Sequence, residues 1–383
     1  MHIRLLTYST KPRGGVVHAL NLAEALAART HDVELWALSI DGAGFFRDPA
    51  VETVLVPVAR SSQESTERRI LRYADALAGA LRTTPPAEVE HSEDCLSARA
   101  LLTLRTENRA AAIVRTVHHV DEFRSPVLDA CQRASISRVD HRVCVSRYWA
   151  DRLREQFDVD AAIIPNGIDA ARFRATGLSR EDARARFGWS DRPVVLSVGG
   201  IEPRKGSRDL LAAFAALKRR RPSALLAIAG GETLFDYAEY RSGWHNDAER
   251  LSMVVGEVLD DTTDVHVMGR IDDSDMPALY RGADVMAMPS TREGFGLVAL
   301  EAMAGGCPVV LSDLPVFREH FTPDLDCLMA PVGDSRRLSA ACELILDDPA
   351  IRRRLTTAGR KTADRFTWGA AAAAHERLYE EIA

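Results

Sequence analysis

The sequence predicts an α/β protein of two domains, each built on a parallel sheet, and three observations carry that prediction. The chain has 383 residues, more than one ordinary core accommodates. Short apolar runs alternate with segments of helical period along most of it. Several of those runs end in glycine or a small polar residue just ahead of a helix, as βα turns do.

Ile3 to Tyr8 reads as a short buried strand, Arg13-Gly14-Gly15 as a turn, and Ala19, Leu22, Ala23 and Leu26 as one face of a helix. Val33 to Leu38 is a second strand. Strand, turn, helix and strand form a βαβ opening, which implies a parallel sheet. Ala111 to Val117 is strand-like and ends at His118-His119. Arg142 to Val145 is a strand ending at Ser146, followed by a helix carrying Trp149 and Leu153. Ala161 to Ile164 ends at Pro165-Asn166-Gly167.

A charged helix, Arg180 to Phe187, separates this half from a restart of the pattern. Val194 to Val198 runs into Gly199-Gly200, and Leu210, Phe214 and Leu217 mark the next helix. Leu225 to Ala229 runs into Gly230-Gly231, and Val265 to Met268 into Gly269. Val285 to Met288 ends at Pro289-Ser290, and Val309-Val310-Leu311 at Ser312-Asp313. The domain boundary falls between 166 and 192. Phe366-Thr367-Trp368 and an alanine-rich helix to Ile382 do not continue the βα pattern and suit a terminal helix on either domain.

Composition narrows the function classes. With 46% hydrophobic residues, 27% charged residues and a net charge of −6, the chain is globular and lacks the basic domain of a nucleic-acid binder. Cys95, Cys131, Cys144, Cys307, Cys327 and Cys342 are scattered, without the pairs of a zinc site or a disulfide framework. The first residues lack the pattern of a signal peptide, and no apolar run approaches a spanning helix. The expected compartment is the cytoplasm, with peripheral contact at the inner membrane face left open.

Five stretches offer candidate chemistry. Gly14-Gly15 precedes a helix N-terminus, where an anion is favoured, although the same pair suits a plain tight turn. It is not the G-x-G-x-x-G of dinucleotide enzymes. Glu202-Pro203-Arg204-Lys205-Gly206-Ser207 places two cations at a helix start, which suits a diphosphate or else a solvated loop. Glu293-Gly294-Phe295-Gly296-Leu297-Val298-Ala299-Leu300-Glu301 follows a strand, at the edge where open α/β sheets bind ligands. Its two carboxylates suit hydroxyls at two ends of an extended ligand. His118 or His119 can face a site from a strand end. Asp273-Ser274-Asp275 has metal-like spacing, but helix N-capping explains it better.

The stretch from Glu293 to Val310 resembles the signature of retaining GT-B glycosyltransferases of glycosyltransferase family four. Gly14-Gly15, Thr116-Val117-His118, Val145-Ser146, Pro165-Asn166-Gly167-Ile168-Asp169, Arg204-Lys205-Gly206 and Ala283-Asp284 fall in that family's order. The resemblance implies two Rossmann-like domains with an interdomain cleft: an acceptor-binding domain over 1–166 and a nucleotide-sugar-binding domain over 167–365. It also implies a C-terminal helix, 366–383, crossing back onto the first domain. Arg204 and Lys205 match diphosphate-binding cations, and Glu293 the glutamate on the donor sugar's hydroxyls. Gly294, Phe295, Gly296 and Leu297 match the turn that meets sugar and phosphates, and Glu301 the ribose glutamate. Arg270 and Ile271 would face the base, Gly15 the diphosphate and His118 the sugar. Gly200 stands where many relatives carry an arginine.

The implied reaction is transfer of a hexosyl unit from a nucleoside diphosphate sugar, UDP- or GDP-linked, to an acceptor hydroxyl with retention. No metal and no cofactor are expected. The acceptor class is a small molecule, a glycan or a lipid-linked sugar, and nucleic acid is not a partner. The alternatives are a nucleotide-sugar-binding protein without turnover and a GT-B epimerase. A phosphorylase would need a longer chain, and an NAD oxidoreductase the absent fingerprint.

Overall fold

A computed structural model describes residues 1–61, 64–107, 112–175, 177–231, 237–255 and 264–382, without the side chains of 249–255. Ala111, expected to begin a strand, lies outside the described residues. The chain divides into two compact units, Met1–Gly167 with Phe366–Ala383, and Ile168–Arg365.

Among the described residues the first unit carries seven strands: β1 His2–Thr7, β2 Asp32–Ile40, β3 Glu52–Val58, β4 Val89–Ser92, β5 Ala112–Val117, β6 His141–Cys144 and β7 Ala162–Ile163. They pair in parallel in the order β3-β2-β1-β4-β5-β6-β7. Among the described residues the second unit carries six: β8 Val194–Val198, β9 Leu225–Ala229, β10 Val265–Gly269, β11 Val285–Met288, β12 Val309–Ser312 and β13 Leu328–Ala330. They pair in parallel in the order β10-β9-β8-β11-β12-β13. Each sheet therefore reverses its winding once, between β1 and β4 and between β8 and β11. The crevice outside the carboxyl ends of the strands at such a switch point is where open α/β sheets bind ligands.

Helices cover both sheets. In the first unit the helix Gly14–Ala27 buries Ala19, Leu22, Ala23 and Leu26 against Ile3, Leu5, Val33 and Leu35. The C-terminal helix Trp368–Ile382 adds Ala371, Ala372 and Tyr379 to that same core. In the second unit Leu210, Phe214 and Leu217 of the helix Ser207–Arg220 pack with Val195, Leu226, Val285 and Val310. All six cysteines are free thiols. No described helix is long and apolar enough to cross a membrane.

Two strands of the first sheet depart from the buried apolar run. β3 is an edge strand in which only Val56 and Val58 reach the core, with Pro57 tolerated because the edge needs no ladder donor there. β4 reads Val-Glu-His-Ser, yet all four residues are buried. Its polar side chains find partners inside: Glu90 Oε1 pairs with Arg4 at 2.7 Å, and Ser92 Oγ donates to the Val114 carbonyl at 3.1 Å. Asp94 follows and caps the helix Cys95–Thr106 by accepting from the Leu96 and Ser97 amides.

Asp273-Ser274-Asp275 corrects an expectation. It forms a single 3-10 turn before the helix Met276–Gly282, and no aspartate side chain there caps the helix. Asp273 pairs instead with Arg172 at 2.8 Å and Asp275 with Arg186. A nearby guanidinium outcompetes a backbone amide for each carboxylate.

Gly206 joins β8's loop to its helix at φ +63, and a Cβ built there would lie 2.0 Å from the Pro289 carbonyl oxygen. Gly206→Ala is therefore expected to cost more than about 1 kcal/mol, read as a lower urea midpoint at unchanged slope.

Candidate active site

Adjacent strands β8 and β11 deliver two loops to the switch point of the second unit. After β8 the chain turns through Gly199 and Gly200, and Pro203–Lys205 forms a 3-10 turn. After β11 comes the loop from Pro289 to Gly296, then the helix Leu297–Gly305. The Thr291 amide donates to the Arg204 carbonyl at 2.9 Å and ties the loops together.

Glu293 is clamped between them. Its Oε1 accepts from Lys205 Nζ and from Ser290 Oγ, both at 2.8 Å, and its Oε2 lies 3.2 Å from an Arg204 guanidinium nitrogen. Burial alone would push this carboxyl up. The charges of Lys205 and Arg204, with the Lys205 and Ser290 hydrogen bonds, outweigh burial and hold it at about 2. Glu293 is thus a carboxylate throughout the physiological range, able only to accept hydrogen bonds.

The Gly294-Phe295-Gly296 turn ends with Gly296 at φ +106 as the N-cap position of the next helix. Phe295 is buried, its ring centroid 4.4 Å from that of His320, so the turn is anchored from below. Leu297 is the first helical residue. Glu301 lies little over one turn into the helix, which starts at Leu297 itself. The Tyr280 hydroxyl donates to its Oε2 at 2.8 Å. Burial raises this carboxyl to about 6, against the pull of Tyr280 and Arg172. The same motif thus holds one permanently ionised carboxyl and one near its titration point.

Gly200 has φ +76, and a Cβ there would lie 3.3 Å from the Gly231 carbonyl oxygen. A side chain at 200 would start in tight contact with the backbone of β9's turn. Arg270 and Ile271 follow β10, with Arg270 exposed and its Cβ beside Gly231.

In the first unit, Gly14 and Gly15 open the helix after β1. A Cβ on Gly15 would lie 3.4 Å from the His118 ring, so the structure brings these two together. His118 Nε2 is 3.0 Å from Glu93 Oε2. His119 turns to Asp121 at 3.3 Å instead. Glu93 and His18, which contacts Glu93 at 3.6 Å, are site neighbours that sequence reasoning missed. Glu93 follows β4, whose polar composition conceals it as a strand. His18 sits within an amphipathic helix, where one histidine carries no signal.

Two family profiles match the chain: one described as "Glycosyl transferases group 1" over residues 179–362, the other as "Glycosyltransferase Family 4" over residues 12–172. The chain is 30% identical over 291 residues to the phosphatidyl-myo-inositol mannosyltransferase of Mycobacterium tuberculosis, covering 74% of this chain and 71% of that protein. It is 28% identical over 395 residues to the glycogen synthase of the same organism, covering 94% and 89%. Among solved structures, the sucrose-phosphate synthase of Thermosynechococcus elongatus superposes with a TM-score of 0.80 at 25% identity, covering 99% of this chain and 98% of that one.

Proposed function

The chain belongs to glycosyltransferase family four and is a glycosyltransferase of the GT-B fold, and we propose that it moves a hexosyl unit from a UDP- or GDP-linked sugar to an acceptor hydroxyl with retention. A nucleotide sugar and an acceptor are its substrates. The observation that carries the finer reading is the clamp of Lys205 and Arg204 on Glu293 at the switch point of the second sheet.

The chemistry follows from that clamp. A leaving nucleoside diphosphate gains negative charge as the glycosidic bond breaks, and Lys205 and Arg204 are fixed cations that stabilise it. Arg204, next to Lys205, supplies the second charge that Gly200 lacks. Glu293 is ionised and accepts from the sugar's hydroxyls. The Gly294 to Leu297 turn offers its backbone to sugar and phosphates, Glu301 the ribose, and the backbone at Arg270 and Ile271 the base. In the first unit, Gly15 lets the diphosphate approach and His118 meets the sugar. The acceptor attacks the face that the diphosphate leaves, and the departing phosphate takes the acceptor's proton. No enzymic nucleophile is needed, and the protein contributes positioning and charge. The acceptor is a small molecule, a glycan or a lipid-linked sugar, carried by the first unit in the cytoplasm.

A thermal-shift screen against UDP-, GDP- and ADP-sugars tests the donor class, since a ligand of the native state alone raises Tm. Stabilisation by a UDP- or GDP-sugar, followed by its consumption with acceptor, is the expected result. Stabilisation without any turnover or donor hydrolysis would favour a binding protein.

We further expect no essential divalent metal. Lys205 and Arg204 take the role a metal would play at the diphosphate, and Asp273 and Asp275 are committed to arginines. Turnover should persist in EDTA. Full loss, restored by magnesium or manganese, would refute this.

A further inference from the structure

Behind His118, within the first unit, lies a cluster of buried polar side chains that the reaction above does not use. Glu93 stands at its centre, 2% exposed, just past the carboxyl end of β4. Its Oε2 is 3.0 Å from His118 Nε2. Its Oε1 is buried without a hydrogen-bond partner, 3.6 Å from His18 Nε2 and 3.7 Å from His91 Nε2. His18 Nε2 is itself buried and unpartnered.

The ring partners decide where the protons sit. His18 Nδ1 is 2.8 Å from Asn166 Oδ1, an acceptor, so Nδ1 carries the hydrogen and a neutral ring presents a lone pair at Nε2. His375 likewise donates from Nδ1 to the Ala371 carbonyl. His91 is held at both nitrogens, by the Tyr379 hydroxyl at 2.5 Å and Thr116 Oγ1 at 2.7 Å. An ionised Glu93 would therefore point a lone pair at the lone pair of His18. A proton on Glu93 Oε1 makes that contact attractive and leaves Oε2 free to accept from His118.

We propose that Glu93 is a positioning residue that acts as a carboxylic acid: its Oε1 proton faces His18, and its Oε2 holds His118 in the tautomer protonated at Nε2. His118 Nδ1 is then the acceptor offered to a hydroxyl of the bound sugar. The Nε2–Cδ2 edge of the His118 ring lies against Gly15 and Glu93, and the side chain keeps 17% exposure.

The electrostatics agree. Burial pushes the Glu93 carboxyl up to about 7, with His18 and Arg115 drawing it down and Asp94 pushing it up. Burial lowers His18 to about 4, and burial with Arg115 and His119 lowers His118 to about 3. The rings stay neutral, and the acid holds the cluster's proton.

The proposal rests on the donor-site reading of His118, and its test separates the two. The full chain would be labelled with 15N-histidine, and His118→Gln would identify the His118 signals among those of 11 histidines. The wild type should show His118 protonated at Nε2 and bare at Nδ1. Glu93→Leu should lose that preference and lower kcat about tenfold, the size of one misdirected hydrogen bond, with a smaller effect on the donor KM. Glu93→Gln should restore the ring pattern and most of the lost kcat, because a carboxamide offers an oxygen to His118 and an N–H to His18.

Protonation at Nδ1 in the wild type overturns the proposal, even if Glu93→Leu does not fold. So does a Glu93→Gln enzyme with its His118 ring pattern lost, since that would require a carboxylate. The expected ring pattern together with an unaffected His118→Gln enzyme would leave the hydrogen-bond assignment standing and overturn the donor-site role of His118.

Discussion

Replacing Lys205 by alanine is expected to lower kcat/KM by roughly 10²–10³, the usual cost of removing one fixed donor aimed at developing charge. Lys205 touches the reaction in two ways. Its ammonium is one of the two cations proposed for the departing diphosphate, and it donates at 2.8 Å to Glu293. Without it, Glu293 keeps Ser290 and Arg204 but loses the strongest of the charges that offset its burial. Part of the lost rate should therefore come from a poorly seated Glu293. Lys205→Arg tests that: a guanidinium restores the charge without the same reach. Circular dichroism should be unchanged, because Lys205 lies in a short turn and contributes nothing to either unit's apolar core. Near-normal kinetics would reduce Lys205 to part of a solvated loop.

Glu293→Gln is expected to lower kcat far more than Glu301→Gln. The sugar ring gains positive charge as its bond breaks, and Glu293 is the carboxylate proposed beside it. The amide keeps the shape and drops the charge. It also leaves Lys205 and Arg204 without the anion that both contact. Glu301 is proposed at the ribose, whose charge does not change. Its loss should weaken ground state and transition state alike and raise KM more than it lowers kcat. Stability supplies an independent reading. Glu301's carboxyl is raised by burial to about 6 in the folded protein, so the folded state binds its proton more tightly than the unfolded state. The stability this contributes is complete below the unfolded value, near 4.5, and is lost as pH rises through about 6. Glu301→Gln should therefore be more stable than the wild type above pH 6. Glu293, held at about 2, behaves oppositely: its contribution is present above the unfolded value and is lost as pH falls toward 2. If Glu301→Gln costs more kcat than Glu293→Gln, the two carboxylates have been assigned the wrong way round.

The second unit was largely legible in the sequence because its central strands are buried on both faces. Leu225–Ala229 and Val285–Met288 are continuous apolar runs, Val194–Val198 is interrupted only by Ser197, and each ends where a glycine or Pro-Ser begins the loop. Such runs are what a parallel sheet covered by helices requires. Arg204, Lys205 and Glu293 lie in those loops and Glu301 in the helix that follows one of them, so local spacing was enough to find them. Other features depend on partners far along the chain. The buried Glu90, His91 and Ser92 of β4 find their partners in Arg4, Thr116, Val114 and Tyr379. Nothing local in Val-Glu-His-Ser announces burial. The same holds for Asp273 and Asp275, which read as helix caps until Arg172 and Arg186 arrive from about 90 to 100 residues earlier. It holds most of all for Glu93, His18 and His118, which come from three separate βα segments. Hydrophobic periodicity and turn chemistry are short-range signals, and a single chain displays them directly. The state of a buried polar group depends on which donor or acceptor faces it, and that was decided only when the sheet brought those segments together.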